Sequence, residues 1–277
     1  MKGLKLAILP LVVAVTVAIY VFNNQASVDL AESGQAAAAA TAGPLPPLKT
    51  RPNFTQITDV NVKKTTFFEY MLPMIRRANA KILTERNTIS RIRGSFAEHR
   101  MLTASDRQAL LPLLEKYNID TGEDQDNDIT VAHLTELLTR CDIVPAALIL
   151  AQSANESAWG TSRFATKGNN FFGLWCFSPG CGLKPSQRNE GANHEVAKFE
   201  SVNSGVEYYV QTINTHFAYE QLRLIRAELR ADNEKITGTV LAEGLLRYSE
   251  RGQAYVDEIK HMIRYNKLSR YNIDTRA

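Results

Sequence analysis

Val144-Pro145-Ala146-Ala147-Leu148-Ile149-Leu150-Ala151-Gln152-Ser153-Ala154-Asn155-Glu156-Ser157-Ala158-Trp159-Gly160 is apolar on every side for its first two turns and closes on a glycine suited to a helix C-cap. A helix of that pattern is buried all round. It delivers a carboxylate, Glu156, to its own end. There the negative pole of the helix dipole and partial burial beside Trp159 both oppose ionisation, which keeps a carboxylic acid protonated towards neutral pH. A general acid needs this property. An arbitrary glutamate on a last turn is an ordinary surface residue, so the neighbouring residues have to carry the functional argument.

Working outward, helical periodicity dominates from Phe54 on. Residues 67–92 space Phe68, Leu72, Ile75, Ile82, Leu83 and Ile89 among Arg and Lys, with room for one or two amphipathic helices. The basic excess over residues 63–107, ten basic against four acidic, reads as a solvated helix face. Thr103-Ala104-Ser105-Asp106 has capping-box spacing, and Pro112 is expected to kink or split the helix it opens. The acidic run 120–128 fails as a calcium loop, because Ile129 stands where an EF-hand needs Gly and Thr135 where it needs the bidentate Glu. Helices are predicted over 129–140, 145–157, 202–217, 218–232, 239–246 and 253–266. Between 169 and 199 the pattern breaks into Gly, Pro, Asn and short apolar patches, with room for a small hairpin. The fold class is mainly α (α+β): about eight helices, one β insert and no internal repeat.

Residues 151–162, Ala151-Gln152-Ser153-Ala154-Asn155-Glu156-Ser157-Ala158-Trp159-Gly160-Thr161-Ser162, followed by Asn169-Asn170-Phe171-Phe172-Gly173-Leu174, closely resemble the signature of the glucosaminidase family of bacterial peptidoglycan hydrolases. The resemblance spans about residues 141–266. It implies a lysozyme-like helical domain with a small β-lobe, and Glu156 of the ESxWGxS motif as the general acid. The implied reaction is that of an endo-β-N-acetylglucosaminidase cutting β-1,4 bonds, with peptidoglycan glycan strands as the partner.

Glycoside hydrolysis ordinarily uses a second carboxylate. In the family this is often a Glu of the β-lobe, 35 to 40 residues after the first. Glu190, followed by the turn residue Gly191, is the first choice, and Glu195 is the alternative. If neither acts, a single-acid route assisted by the substrate's N-acetyl group remains. Sugar rings present apolar faces, so Trp159, Phe172, Trp175, Tyr209, Tyr248 and Tyr255 are candidate cleft residues, each with core packing as the competing role. Asn170 is a candidate for an acetamido group or for loop stabilisation.

Other chemistries find little support. Gly160-Thr161-Ser162-Arg163-Phe164 lacks the last Gly of a nucleophile elbow, and His194-Glu195 lacks the second His of HExxH. No phosphate loop appears and the five His are scattered, so neither cofactor nor metal is expected. A lytic transglycosylase using the same single glutamate, and a non-catalytic wall-binding module, stand as alternatives.

The front end sets the compartment. Lys2 and Lys5 precede an uncharged run, residues 6–22, which rises about 26 Å as a helix. That is the pattern of an export signal or a marginal membrane anchor. Residues 1–22 are therefore read as signal peptide or N-terminal inner-membrane anchor. Residues 23–52, rich in Ala, Ser, Gly and Pro, are read as a linker. Residues 53–277 form one domain, with an N-terminal helical part at 53–140 and a catalytic core at 141–266. The expected location is the periplasm and the expected state a monomer. Three cysteines leave three possible single pairings. Cys176 and Cys181, bracketing the turn-forming Phe177-Ser178-Pro179-Gly180, suit a short local disulfide in an oxidising compartment. The formal charge is +3 in all, and the body beyond residue 50 has 29 basic against 27 acidic side chains. So even a balance excludes a nucleic-acid binder.

Overall fold

The computed structural model describes residues 50–122, 129–185 and 194–272. The expected signal or anchor, nearly all of the linker, the carboxylates of 123–128 and Glu190 lie outside the described residues.

Helix α1, Val60–His99, starts at Asp59, whose carboxylate accepts the Val62 N–H, and continues unbroken through Pro73. The amphipathic stretch is thus one helix of 40 residues. Helix α2, Ala104–Lys116, is capped by Thr103, which accepts from the Asp106 amide. It too runs on through its proline, contrary to the expected kink or split. Pro112 and Gln108 both lie on the exposed face, where water can satisfy the carbonyl that the missing N–H leaves. Helix α3, Val131–Arg140, has a capping box between Thr130 and His133. Then follow α4, Ala146–Glu156, and α5, Arg163–Gly168. Beyond the β-lobe come α6, Val202–Thr215, α7, Glu220–Ala231, α8, Gly238–Leu241, and α9, Gln253–Tyr265. Short 3-10 turns at Phe217–Tyr219, Ala242–Leu245 and Leu268–Tyr271 link or finish them.

Helix α4 is the axle. Every residue from Ala146 to Ala154 is buried, and α1, α8, α9 and the Leu268–Tyr271 turn pack around it. The β-lobe holds β1, Trp175–Cys176, β2, Gly182–Leu183, and β3, Glu195–Ala197. Their antiparallel order is β1-β3-β2, with Trp175 opposite Val196 and Leu183 also opposite Val196. The insert is therefore three-stranded, with the middle strand supplied last by the chain. Cys176 and Cys181 are joined in a disulfide, and Cys141 is free and buried. The molecule is mainly helical with a small β-lobe, the lysozyme-like plan. No described helix is long and apolar enough to cross a membrane.

Feeding a buried helix from a buried loop raises the question of where the loop's backbone groups find partners. Arg226, fully buried, donates Nη1 to the carbonyls of Asp142 and Ile143 and to Asn214 Oδ1, and Nη2 to those of Thr139 and Arg140. Asn79 of α1 brackets Val144, donating to its carbonyl and accepting from its amide. The Asp142 carboxylate receives Arg230 Nε at 2.8 Å and Nη2 at 2.7 Å, with Arg86 3.6 Å away. Burial alone would raise the Asp142 pKa, but Arg86, Arg230 and Arg226 outweigh it and hold the carboxyl well below the usual range.

Asp142→Ala leaves these guanidinium groups buried without their counter-charge. It is expected to lower the unfolding free energy by about 3–5 kcal/mol in urea titrations. Because the folded-state pKa is depressed, the contribution is complete above the unfolded carboxylate pKa, about 4. It is lost as pH falls from there towards the folded value, so Asp142→Asn should flatten the acid limb of the stability profile.

Candidate active site

Glu156 is the last residue of α4, half-buried, one turn beyond Gln152 on the same helix face. Gln152 is the polar break in the apolar run, and its amide is completely buried. Tyr209 donates its hydroxyl to Gln152 Oε1, Gln152 Nε2 donates to Tyr255 Oη at 3.1 Å, and Tyr255 donates to Glu156 Oε1 at 2.9 Å. Helices α6 and α9 are thereby coupled through α4 to one carboxylate oxygen. The other oxygen, Oε2, faces Gly173, where a β-carbon would stand 3.7 Å away and where φ is +66°.

Burial pushes the Glu156 pKa up. Hydrogen bonds from Tyr255 and Asn155 oppose the shift, Glu258 adds to it and Arg251 counters it. Burial, reinforced by Glu156 itself, raises Tyr255 far above an ordinary phenol, so it remains a protonated donor. The chemistry available here is that of a carboxyl that burial makes a weaker acid than an ordinary glutamate, aimed by one phenol.

The aromatic rings around the carboxyl are tyrosines. Tyr255 stacks on Tyr248, with centroids 5.0 Å apart, and Tyr248 donates to the Phe172 carbonyl at 2.8 Å. Trp159, expected to flank the acid, has its indole against the first helix instead, edge-on to Phe67 and Phe68. Phe172 and Tyr209, expected as sugar-facing rings, are 1% exposed and stacked on each other at 4.1 Å; they are core. Asn170, expected at an acetamido group or in the loop, is the loop's clamp. It donates to the Leu174 and Ala197 carbonyls and accepts from the Phe172 and Leu174 amides, so its amide is fully engaged.

Most of the motif is scaffolding of this kind. Ser157 Oγ accepts from Gly160 N, Ser162 caps α5, and Asn169 takes a left-handed φ of 52° and donates to the Phe199 and Glu200 carbonyls. Glu195, the alternative second carboxylate, is buried in β3 and accepts from the amides of Gly180 and Gly182, tying down the disulfide loop. Among the expected aromatics Trp175 is the exposed one, at 55%. It lies two residues beyond Gly173, with one face stacked on His194 at 4.1 Å.

The sequence reading gave no role to Gln152, to His194, or to Tyr219, whose ring lies 6.1 Å from that of Tyr248. A lone amide inside an apolar helix was the available signal for Gln152, since a buried amide requires partners. Among the described residues no group of three or more His, Cys, Asp or Glu is arranged to hold a metal ion.

Residues 131–268 match the glucosaminidase family model, described as mannosyl-glycoprotein endo-beta-N-acetylglucosaminidase. The chain is also 30% identical over 231 residues to Protein bax of Escherichia coli (strain K12), across 83% of this chain and 77% of that protein. No solved structure matches it. The family match runs from α3 through α9 and takes in the buried helix, its terminal glutamate and the β-lobe, and the relative extends the likeness over most of the chain: this protein belongs to the glucosaminidase family.

Proposed function

We propose that this protein hydrolyses the β-1,4-glycosidic bonds of peptidoglycan glycan strands on the reducing side of N-acetylglucosamine, with Glu156 as the general acid. Family membership supports a glycan hydrolase role. The observation that carries the finer reading is the half-buried Glu156 carboxyl with a raised pKa, one oxygen bound by Tyr255 and the other turned to Gly173. In the proposed reaction Glu156 gives its proton to the glycosidic oxygen as the C1–O bond breaks, and water adds at C1. Glu190 is proposed as the second carboxylate, taking the proton from that water. The engagement of Glu195 with Gly180 and Gly182 argues for Glu190 over its alternative. Tyr255 is a positioning residue, and Trp175, backed by His194, offers an apolar face for a pyranose ring.

The remaining parts of the proposal concern place. An export signal or anchor at 1–22 and a linker at 23–52 would put the domain in the periplasm, and the Cys176–Cys181 disulfide fits an oxidising compartment. A lytic transglycosylase working from the same glutamate is the second reading, favoured by the commitment of Glu195 to the loop amides and of Glu258, the carboxylate felt by Glu156, to Arg251 at 2.6 Å. The products separate the two: hydrolysis leaves reducing sugar ends and transglycosylation leaves anhydro-muramyl ends.

Glu156→Gln is expected to lower glycan cleavage by at least about a hundredfold with an unchanged circular dichroism spectrum. A fully active variant would sink the assignment. Glu156 acts protonated, so activity falls as pH rises through its pKa. Tyr255→Phe removes a donor that lowers that pKa, and the basic limb of the rate profile should move to higher pH while kcat drops. Trp175→Ala should raise KM by about two- to tenfold on soluble glycan strands and leave kcat nearly unchanged, the signature of lost ground-state stacking.

A further inference from the structure

Directly after Glu156 the backbone does something unusual for residues with side chains. Ala158, Trp159 and Gly160 take consecutive positive φ values of 48°, 57° and 78°. A left-handed run is disfavoured for any residue with a β-carbon and persists only where the surroundings over-determine it. Some of the support is local. Trp159 N donates to the Ala154 carbonyl at 2.9 Å, Gly160 N to Ser157 Oγ at 2.8 Å, and Thr161 Oγ1 to the Ala158 carbonyl at 2.7 Å.

The rest comes from far away in sequence. The Trp159 indole meets Phe67 and Phe68 edge-on at 5.7 and 5.5 Å, and Lys64 Nζ sits 5.1 Å from its ring and 4.8 Å from that of Tyr265. Phe54 lies so close under Gly160 that a β-carbon there would come within 2.5 Å of its ring. Phe67 also touches Phe54 at 5.5 Å and Phe171 at 6.0 Å, so one side chain of α1 bridges both sequence motifs. Arg51 donates to the Ala165 and Thr166 carbonyls and to Asn169 Oδ1, fastening the end of α5 that leads into the second motif. Arg51, Phe54, Lys64, Phe67 and Phe68 all precede residue 131, where the family match begins.

We propose that residues 51–68, outside the matched family domain, are a positioning clamp for Glu156: they hold the left-handed turn that ends α4 and so set where its carboxyl stands. The inference rests on the reading of Glu156 as the acid. It assigns a role in catalysis, through another residue, to a segment that touches no reacting atom.

The test uses the full chain and soluble glycan strands. Phe67→Leu is compared with Ile89→Ala, a core substitution in the same helix about 33 Å along its axis. With the turn loosened, Glu156 loses burial while Tyr255, Tyr209, Tyr219, Tyr248, Arg251 and Glu258 are unaltered. Phe67→Leu should therefore cut kcat about tenfold or more with KM within about twofold. It should also move the basic limb of the kcat profile to lower pH. Ile89→Ala, chosen to reduce the urea midpoint at least as much, should leave both readouts of the folded enzyme in place. If Phe67→Leu does not fold, Lys64→Ala at a half-buried position carries the same comparison, with a smaller fall in kcat and the same direction of the limb. An unchanged kcat and limb in the clamp variant, or equal changes in Ile89→Ala, would overturn the proposal. Loss of the underlying reading is separately visible, as cleavage by Glu156→Gln at the wild-type rate.

Discussion

A helix that is apolar on every side can be buried only if the backbone groups at both its ends find partners inside the protein, and this constraint organises the whole domain. At the entry to α4 the solution is cationic. Arg226 alone donates to four carbonyls, of Thr139 and Arg140 at the end of α3 and of Asp142 and Ile143 in the loop that follows, and Asn79, Asn214 and Asn272 complete the set, the last by accepting the Ala147 amide. The fully buried guanidinium in turn requires Asp142, and Asp142 requires Arg230 and Arg86. At the exit the solution is conformational. The chain reverses through the left-handed turn, and Ser157 Oγ answers the Gly160 amide. Helices α1, α6 and α7 are thereby tied by polar side chains to the segment that leads into α4.

The consequence for the site is a separation of tasks within a short sequence. Of the residues that make up the two motifs, Glu156 is the one that brings a half-buried carboxyl, with one oxygen bound by Tyr255 and the other facing Gly173. Ser157, Ser162, Asn169 and Asn170 have their polar groups occupied by backbone, and Trp159, Phe171 and Phe172 are packed. A pattern that reads as catalytic is, residue by residue, mostly the specification of a turn and a loop that hold one carboxyl in a fixed setting.

That division explains what could be read from the chain alone. The burial of α4 was legible because the eight successive apolar residues 144–151 admit no other reading, whereas Gly160, read as its C-cap, is the last residue of the left-handed turn and Ser157 caps the helix. The mainly helical class with one β insert followed from period and from the Gly, Pro and Asn cluster. The continuity of α2 through Pro112 was not, because whether a proline breaks a helix depends on which face it occupies. Nor was the role of Asn170, since an amide suits a sugar's acetamido group and a loop carbonyl equally well and only the fold decides. Trp159 was assigned to the wrong neighbour for a related reason: sequence adjacency to Glu156 says nothing of direction when Ala158 and Trp159 itself are left-handed. Arg226 gave no sign at all, being one basic residue in a helix rich in them.

The hydrogen bonds joining Tyr209, Gln152, Tyr255 and Glu156 have a direction. A phenol has one proton to give and an amide has distinct ends. Once Tyr209 addresses the oxygen of Gln152, its nitrogen must address Tyr255, and the proton of Tyr255 is committed to Glu156 Oε1. An oxygen already accepting that bond is the poorer seat for the acid's own hydrogen. In the neutral side chain the Tyr255 bond therefore weighs against the hydrogen on Oε1 and in favour of the Gly173 side. Two tyrosines and a glutamine, none of them titrating near neutral pH, thus give a symmetric functional group a front and a back.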